Sequence, residues 1–171
     1  MNSVEPDRRV RLRRIHISDV TTIETWPAYP PEFADLDYAL RKTGWITEFS
    51  TQPDTRIYVV EHLNELIALT ILSSTAHGEA EFRIALRADK LGHGLGRIIT
   101  DQTLAIGFDE FRLKRIHLIV RKNNQRARAL YQGLNFLHCG ENQILVNGKQ
   151  TDFLAMELFS QDFIRPMNEN E

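Results

Sequence analysis

Three glycines at alternate positions stand immediately before an amphipathic helix, and this feature constrains the chain more than any other. They lie in Gly92-His93-Gly94-Leu95-Gly96. Because glycine has no Cβ, the backbone N–H groups of such a loop can approach a ligand closely. The first four N–H groups of the helix lack partners within it, and its dipole adds partial positive charge there. The stretch therefore predicts a phosphate site. Apolar or small residues recur on one helix face: Leu95, Ile98, Ile99, Thr103 and Ile106.

Two common phosphate-binding motifs do not fit this loop. A Walker loop places Gly-Lys-Ser/Thr after four spacer residues, and that sequence is absent. A dinucleotide fingerprint has Gly-x-Gly-x-x-Gly directly after its first strand, with an acidic residue about 20 positions further on. Here the spacing is Gly-x-Gly-x-Gly, the preceding strand ends at Leu86, and Arg115 and Ile116 stand near the position expected for the acid.

A second motif downstream makes the stretch similar to a known family. A predicted strand, Arg115–Val120, leads to Asn124-Gln125-Arg126-Ala127-Arg128-Ala129-Leu130-Tyr131-Gln132-Gly133-Leu134-Asn135-Phe136. Loop and motif together resemble the GNAT superfamily of acetyl-CoA-dependent N-acetyltransferases, with its patterns Arg/Gln-x-x-Gly-x-Gly/Ala and Asn-x-x-Ala-x-x-Leu-Tyr-x-x-Leu-Gly-Phe. The resemblance covers Val10 to Leu158, and its specific part is Glu81 to Phe136.

The sequence departs from the family pattern at two positions. Leu91 stands where the family usually has Arg or Gln, and the adjacent Lys90 can supply the missing cation. Asn135 stands where the family has the Gly that ends the helix with a positive φ angle. Asn is the next residue best able to adopt that conformation, so we expect the helix end to be retained.

The resemblance implies an α/β (α+β) fold, the GNAT fold, with a mixed, mostly antiparallel central sheet of about seven strands and helices on both faces. The residue patterns predict the matching order β-α-α-β-β-β-α-β-α-β-β. We predict an N-cap at Ser18-Asp19, a second helix from Glu32 to about Phe49, and a type I′ hairpin at Asn147-Gly148. Residues 1–9 are expected to form a flexible tail, 10–160 one domain, and 161–171 a C-terminal tail.

Composition and charge narrow the expected partners. A net charge of −2 over 171 residues argues against general nucleic-acid binding. The single cysteine, Cys139, fits a reducing cytoplasm, and neither a membrane-spanning run nor a signal-peptide pattern is found. The six histidines show no metal-ligand spacing, so no metal is expected. The arginines between Arg8 and Arg14 form either the solvated face of an edge strand or a nucleic-acid contact.

The resemblance implies attack of an amine on the thioester of acetyl-CoA and assigns catalytic roles. Tyr131 matches the family tyrosine beside the thioester sulfur, where a protonated phenol can donate to the departing thiolate. Glu81 resembles a family glutamate that acts as the base, and the alternative for it is a solvent-facing strand residue. His117 on the neighbouring strand is the rival base, and a water chain is the third route.

The cofactor contacts implied by the resemblance lie on both sides of the loop. The backbone of Ile84, Ala85 and Leu86 is implied to hold the thioester carbonyl and the pantetheine arm, where the fourth strand separates from the fifth. Asn124 is implied to contact the pantetheine or to hold the loop. Arg126 and Arg128 either reach the CoA phosphates or are solvated on their helix. The implied pyrophosphate site comprises Lys90, Leu91, Gly92, His93, Gly94, Leu95, Gly96 and Arg97.

The connection between the first two helices borders the acceptor site in the family. Trp26, Tyr29, Glu32 and Phe33 are therefore candidate acceptor contacts, or the aromatic residues among them fill the edge of the core. Four acidic residues near this connection would suit a cationic acceptor, or form a solvated helix face: Glu24, Glu32, Asp35 and Asp37.

Three functions stay open at this stage. The first is acetylation of the primary amine of a small molecule. The second is acetylation of a protein N-terminus or lysine, which is disfavoured because Ile119 stands where ribosomal-protein acetyltransferases place a glutamate. The third is a non-catalytic acyl-CoA-binding module, against which Tyr131 argues. Pairing of two copies into a homodimer through exposed strands is a further hypothesis.

Overall fold

A computed structural model of the protein describes residues 9–41 and 43–165, without the side chain of Asp35. The rest of the predicted tails, residues 1–8 and 166–171, lies outside that description. The strands are β1 (Arg11–Arg14), β2 (Thr55–His62), β3 (Glu65–Ala76), β4 (Glu79–Leu86), β5 (Arg115–Arg121), β6 (Leu137–Val146) and β7 (Lys149–Phe159). The α-helices are α1 (Ile17–Glu24), α2 (Trp45–Ser50), α3 (Leu95–Ala105) and α4 (Gln125–Gly133). Shorter 3₁₀ segments span Pro31–Leu40, Ala88–Lys90 and Ser160–Asp162, and a π-helical turn spans Ile106–Glu110.

The strands form one seven-stranded sheet in the order β1-β2-β3-β4-β5-β7-β6. All neighbouring pairs are antiparallel except β4 and β5, which are parallel. The predicted mixed, mostly antiparallel sheet is confirmed. No helix in the described residues is long and apolar enough to cross a membrane.

Helices cover both faces of the sheet, because alternate strand residues point to opposite sides. On one face, Ile57, Val59, Leu69 and Ile71 pack with residues of α1 and α2. On the other face, Val60, Ile67 and Ala68 pack against the first turns of α3. Further along that second face, α4 and the end of α3 contribute Tyr131 and Leu104 to the same cluster as Phe82, Ile116 and Leu118. The strand β3 is therefore buried on both sides, as its apolar run Ala68–Leu72 predicts.

The predicted second helix, from Glu32 to Phe49, is wrong. A 3₁₀ segment, Pro31–Leu40, and the separate helix α2 replace it. Gly44 lies between them, with its N–H donating to the carbonyl of Arg41 at 2.8 Å. A Cβ at this position would collide with the carbonyl oxygen of Tyr38. The close approach of two backbone segments at Gly44 breaks the helix, although the apolar spacing alone favours one continuous element.

The start of α1 also differs from the prediction, because the N-cap residue is His16 and Asp19 lies at the third helical position. The Asp19 carboxylate accepts the His16 N–H at 2.7 Å and two guanidinium N–H groups of Arg13 at 2.8 and 2.9 Å. Arg13 also binds Glu61 of β2 at 2.8 Å. These contacts fasten α1 to the edge of the sheet. They also give Arg13 a structural role, whereas the sequence led us to expect a solvated side chain or a nucleic-acid contact.

Residues with positive φ angles lie at two predicted positions, after α4 and in the turn between β6 and β7. Asn135, which follows α4, has a φ of 71°. Asn147 and Gly148 have φ angles of 50° and 78°, which fit the type I′ hairpin between β6 and β7. The packed chain extends beyond the predicted boundary at 160, since Phe163 is buried and its ring lies 5.2 Å from that of Phe108.

Substitution Asp19→Asn should lower the free energy of unfolding at pH 7 by about 2 kcal/mol, because it removes a buried charge-assisted network. The Arg13 hydrogen bonds lower the pKa of Asp19 in the folded state. Its contribution is therefore present above the unfolded pKa of about 3.9 and is lost as the pH falls through the folded value. Urea unfolding at pH 7 and at a pH below about 3.9 should show the difference between wild type and variant shrinking at the lower pH.

The matched control is Asp109→Asn. The Asp109 carboxylate is also paired with an arginine, Arg165, but both side chains are exposed to solvent. We expect a change below about 0.5 kcal/mol at either pH. An Asp19→Asn effect as small as the control would contradict the structural role assigned to the network.

Candidate active site

The parallel strands β4 and β5 separate after a short contact. They pair only at Glu79–Arg115, Ala80–Ile116 and Glu81–His117. Beyond these residues β4 stays paired with β3 up to Leu86, and β5 stays paired with β7 up to Arg121. The sheet therefore opens into a V between its two halves.

The inner edge of β4 presents backbone groups to this opening. The Arg87 N–H donates to Ile67 of β3 at 2.7 Å, and hydrogen-bond direction alternates along an antiparallel pair. The N–H and C=O groups of Ile84 and Leu86 therefore point away from β3 and into the V, whereas those of Ala85 point toward β3. All three residues whose backbone was predicted to contact the cofactor line the cleft. Ile84 and Leu86 direct their N–H and C=O groups into it, whereas Ala85 directs its backbone groups toward β3.

A cleft of about 750 Å³ occupies the V and continues to both sides of the sheet. Of the predicted site residues, it is lined by Tyr29, Phe33, Ile84, Ala85, Leu86, Leu91, Gly92, Gly94, Gly96, Arg97, Asn124, Arg126 and Tyr131. The predicted residues that do not line it are Trp26, Glu32, Glu81, Lys90, His93, Leu95 and Arg128. Trp26 and Leu95 are core residues, and Arg128 donates to the carbonyl of Lys122 at 2.9 Å.

The glycine loop forms one end of the cleft. Gly92 and Gly94 have φ angles of 79° and 76°, and Gly94 is the N-cap of α3. The Arg126 guanidinium lies against Gly92, where an added Cβ would be 3.5 Å from its Nη1. Arg97, in the first turn of α3, also lines the cleft. Bare amides, a helix N-terminus and Arg126 converge here, which suits an anionic diphosphate. The Arg97 guanidinium donates instead to the Gly133 carbonyl at 3.4 Å, at the other end of α4.

Asn124 caps the helix that carries the candidate acid. Its Oδ1 accepts the Ala127 N–H at 3.1 Å, so the residue fixes the start of α4 as well as lining the cleft. Seven residues later, Tyr131 packs edge-on against Phe82 and Phe136, with ring centroids 6.4 and 5.6 Å away. Burial raises the pKa of the Tyr131 phenol, which keeps it protonated at neutral pH. Among the described residues its hydroxyl has no hydrogen-bond partner, so it can donate to a ligand.

The two candidate bases lie at the apex of the V. Glu81 and His117 face each other in the last paired register position of β4 and β5. Glu81 forms an ion pair with Arg83 at 2.5 Å. The Nε2 of His117 lies 2.8 Å from the Thr75 hydroxyl, and burial lowers the pKa of the imidazole. Neither side chain lines the cleft, so a proton from the cleft reaches either of them only through an intervening group.

The connection after α1 brings Tyr29 to the edge of β4 that faces the cleft. Its hydroxyl donates to the Leu86 carbonyl at 2.5 Å, which occupies one of the carbonyls that point into the V. The predicted acidic surface nearby is only partly available, because Asp37 forms a two-fold contact with Arg41 at 2.7 and 2.8 Å. The side chain of Asp35 lies outside the described residues, and Glu32 is exposed away from the cleft.

Several lining residues were not predicted from the sequence. Arg83 follows Glu81 by two positions on β4, and the alternation of strand residues could have indicated it. Tyr38, Trp45 and Glu48 were hidden by the wrongly predicted continuous helix. The tip of the β6–β7 hairpin contributes Ile144, Leu145, Val146 and Asn147, which no local pattern places near the glycine loop. No cluster of three metal-binding side chains occurs in the described part of the chain.

A sheet that opens beside a glycine loop and a buried tyrosine defines a class of transferase that binds acyl-CoA between its strands. The sequence profile of the acetyltransferase (GNAT) family matches residues 19–136. The chain belongs to this family. It is an acetyl-CoA-dependent N-acetyltransferase, as the sequence motifs predict.

Characterised relatives extend over nearly the whole chain. The spermidine N(1)-acetyltransferase of Escherichia coli K12 is 27% identical over 168 residues, covering 94% of this chain and 87% of that protein. The spermidine N-acetyltransferase of Vibrio cholerae, solved in complex with CoA and spermine, has a TM-score of 0.76 at 22% identity and covers 91% and 98% of the two chains. A V. cholerae spermidine/spermine N-acetyltransferase solved with manganese ions has a TM-score of 0.70 at 24% identity, over 89% and 93%. These structures show that the fold is shared.

The two arginines of α4 provide a test of the cofactor end. Arg126→Gln should weaken CoA binding about ten-fold, because a charge-assisted contact to a phosphate is lost, and the loss should shrink at high salt. Arg128→Gln is the matched control on the same helix, and we expect CoA affinity within about two-fold of wild type. Calorimetric titration with CoA measures both, and equal losses from the two variants would contradict the placement of Arg126.

Proposed function

We propose that the protein transfers the acetyl group of acetyl-CoA directly to the primary amine of a small molecule. The observation that carries this proposal is the enclosure of the cleft beside β4. Tyr38 and Trp45 wall it on the helical side, and the hairpin residues Ile144 and Leu145 wall it on the other. These side chains narrow the acceptor side of the cleft, whereas an extended peptide requires an open groove.

The named relatives support a small amine as the acceptor. They are spermidine or spermine acetyltransferases, so an aliphatic polyamine is the first acceptor class to assay. Aromatic rings and one carboxylate, Glu48, line the cleft on the helical side and offer contacts to an ammonium group. Acetylation of a protein N-terminus or lysine has less support, because the hairpin encloses the site.

The acceptor must lose a proton before it attacks. An alkylammonium group with a pKa near 10.4 is neutralised at pH 7 at a cost of about 4–5 kcal/mol. Glu81 is the proposed base, since it lies at the apex of the V where the thioester carbon would be reached. Because Glu81 does not line the cleft, a water molecule relays the proton to its carboxylate. The neutral amine then attacks the thioester carbon.

Two groups stabilise the rest of the reaction. The Ile84 N–H, which points into the V, is oriented to receive the developing charge on the carbonyl oxygen. As the tetrahedral intermediate collapses, the C–S bond breaks and the Tyr131 hydroxyl donates its proton to the CoA thiolate. The positively charged nitrogen of the intermediate loses its second proton to water, which gives the amide, and a proton from solvent restores Tyr131. The glycine loop and Arg126 hold the diphosphate, which positions the thioester beside Tyr131. The acetyl-CoA is thus a co-substrate, and this sequence of steps uses no metal.

Two surface features support proposals about assembly and cellular location. The edge strand β6 is exposed along most of its length, including Leu137 and Leu145. We propose that two copies pair along this edge to form a homodimer, which light scattering would detect as a doubled mass. The single free Cys139 supports a reducing, cytoplasmic location.

Tyr131→Phe should reduce kcat by about 100-fold, because general acid catalysis contributes roughly that factor or more. The isosteric ring keeps the packing with Phe82 and Phe136, so the CoA affinity and the melting temperature should stay near the wild-type values. Release of CoA thiol in the presence of an amine panel measures the rate. Tyr58→Phe is the matched control, since Tyr58 is a buried tyrosine of β2 away from the cleft.

The same assay separates the candidate bases. Glu81→Gln should lower kcat by about 100-fold, because general base catalysis contributes roughly that factor or more, whereas His117→Gln should leave kcat near the wild-type value. The enzymatic proposal would be contradicted if the rate of thiol release were the same in Tyr131→Phe, Glu81→Gln and wild type. It would also be contradicted if the wild-type protein released no thiol with any amine. Acyl-CoA binding without turnover would then favour the non-catalytic alternative.

A further inference from the structure

The environment of Arg83 indicates a ligand contact beyond those of the general reaction. Arg83 lies on β4, lines the cleft and is largely shielded from solvent. The rings of Phe49 and Trp45 stack near its guanidinium, with centroids 4.9 and 5.4 Å from Cζ. Stacking covers the flat faces of the group and leaves its N–H donors to interact at the edge. These rings also hold the side chain in one orientation.

The protein fills only part of the hydrogen-bonding capacity of this guanidinium. A guanidinium carries five N–H donors. Among the described residues, the ionic partner of Arg83 is Glu81, which contacts Nη2, and the buried Nε has no hydrogen-bond partner. Glu81 contacts a single Nη atom, so the remaining Nη donors of this cleft-lining arginine are left for an acceptor group of a ligand.

The charges of the cleft divide between its two ends. Arg126 lies with the glycine loop, where CoA would supply anionic phosphates. Away from that loop the lining includes Arg83, Arg121 and one carboxylate, Glu48. Glu81 is paired with Arg83, and Asp37 is paired with Arg41. A polycation would therefore meet little uncompensated negative charge here, whereas an anionic group would find a preorganised arginine.

We propose that the acceptor amine carries a carboxylate, which Arg83 binds, so that the substrate class is an amino acid rather than a polyamine. This inference rests on the proposed transfer to a small-molecule amine. Arg83 and Glu81 occupy positions i and i+2 of one strand and share a face. A carboxylate held by Arg83 therefore brings the amine end of the same molecule close to the apex of the V and to its proposed base.

Matched acceptors isolate the contribution of the carboxylate. With wild-type protein and saturating acetyl-CoA, kcat/KM should be at least about ten-fold higher for γ-aminobutyrate than for n-butylamine or putrescine, since a charge-assisted pair is gained. Arg83→Gln should bring these ratios close to one, and Arg83→Lys should retain part of them. The ratio of two acceptors cancels any general loss of catalysis through Glu81.

Arg56→Gln is the matched control, because Arg56 also stacks on an aromatic ring, that of Phe111 at 4.0 Å, but does not line the cleft. Its acceptor ratios should equal those of wild type. Preference of the wild-type enzyme for putrescine, or ratios that survive Arg83→Gln, would overturn the inference while leaving the proposed reaction intact. Absence of turnover with every acceptor would overturn both. If Arg83→Gln does not fold, the wild-type ratios and Arg83→Lys decide the question.

Discussion

Three residue pairs hold β4 against β5, and the parting of these strands beyond Glu81 and His117 determines the rest of the active site. Backbone groups in a closed sheet are consumed by the neighbouring strand, whereas those of Ile84 and Leu86 face an open cleft. One of them, the Leu86 carbonyl, is satisfied by the Tyr29 hydroxyl. The others face the cleft, where in the proposed complex they would meet the amides of the pantetheine arm of CoA. The gap thus supplies both a channel through the sheet and a row of hydrogen-bonding partners along its wall.

The same gap lets the two faces of the sheet contribute different chemistry. On one face, the glycine loop, the start of α3 and Arg126 of α4 gather positive charge for phosphates. On the other face, α2 and the 3₁₀ segment before it bring Trp45 and Tyr38 next to Arg83 of β4. The acetyl group would pass between these environments at the apex, beside Tyr131.

Much of this arrangement can be predicted from the sequence, at the positions where the local backbone geometry requires a particular residue type. The glycines at 92 and 94 adopt positive φ angles, Asn135 replaces a helix-ending glycine in the same conformation, and Asn147-Gly148 turns the final hairpin. The acceptor side could not be predicted in the same way. Apolar spacing from Phe33 to Phe49 is compatible with one long helix, and only the backbone contact at Gly44 with Tyr38 and Ala39 interrupts it. Periodicity reports which residues are buried, but it does not report where the chain must bend to bury them.

The sequence by itself therefore determined the family, the order of strands and helices, the cofactor loop and the tyrosine beside it, because each depends on residues close together in the chain. Only the tertiary structure decided which of the charged side chains reach the cleft. It turned Arg128 toward the Lys122 carbonyl and Arg126 toward Gly92, although both lie on one short helix. It also paired Glu81 with Arg83 and placed Arg83 between aromatic rings from α2. The direction of a long charged side chain depends on which partners the fold brings near it. Local sequence patterns therefore do not predict that direction.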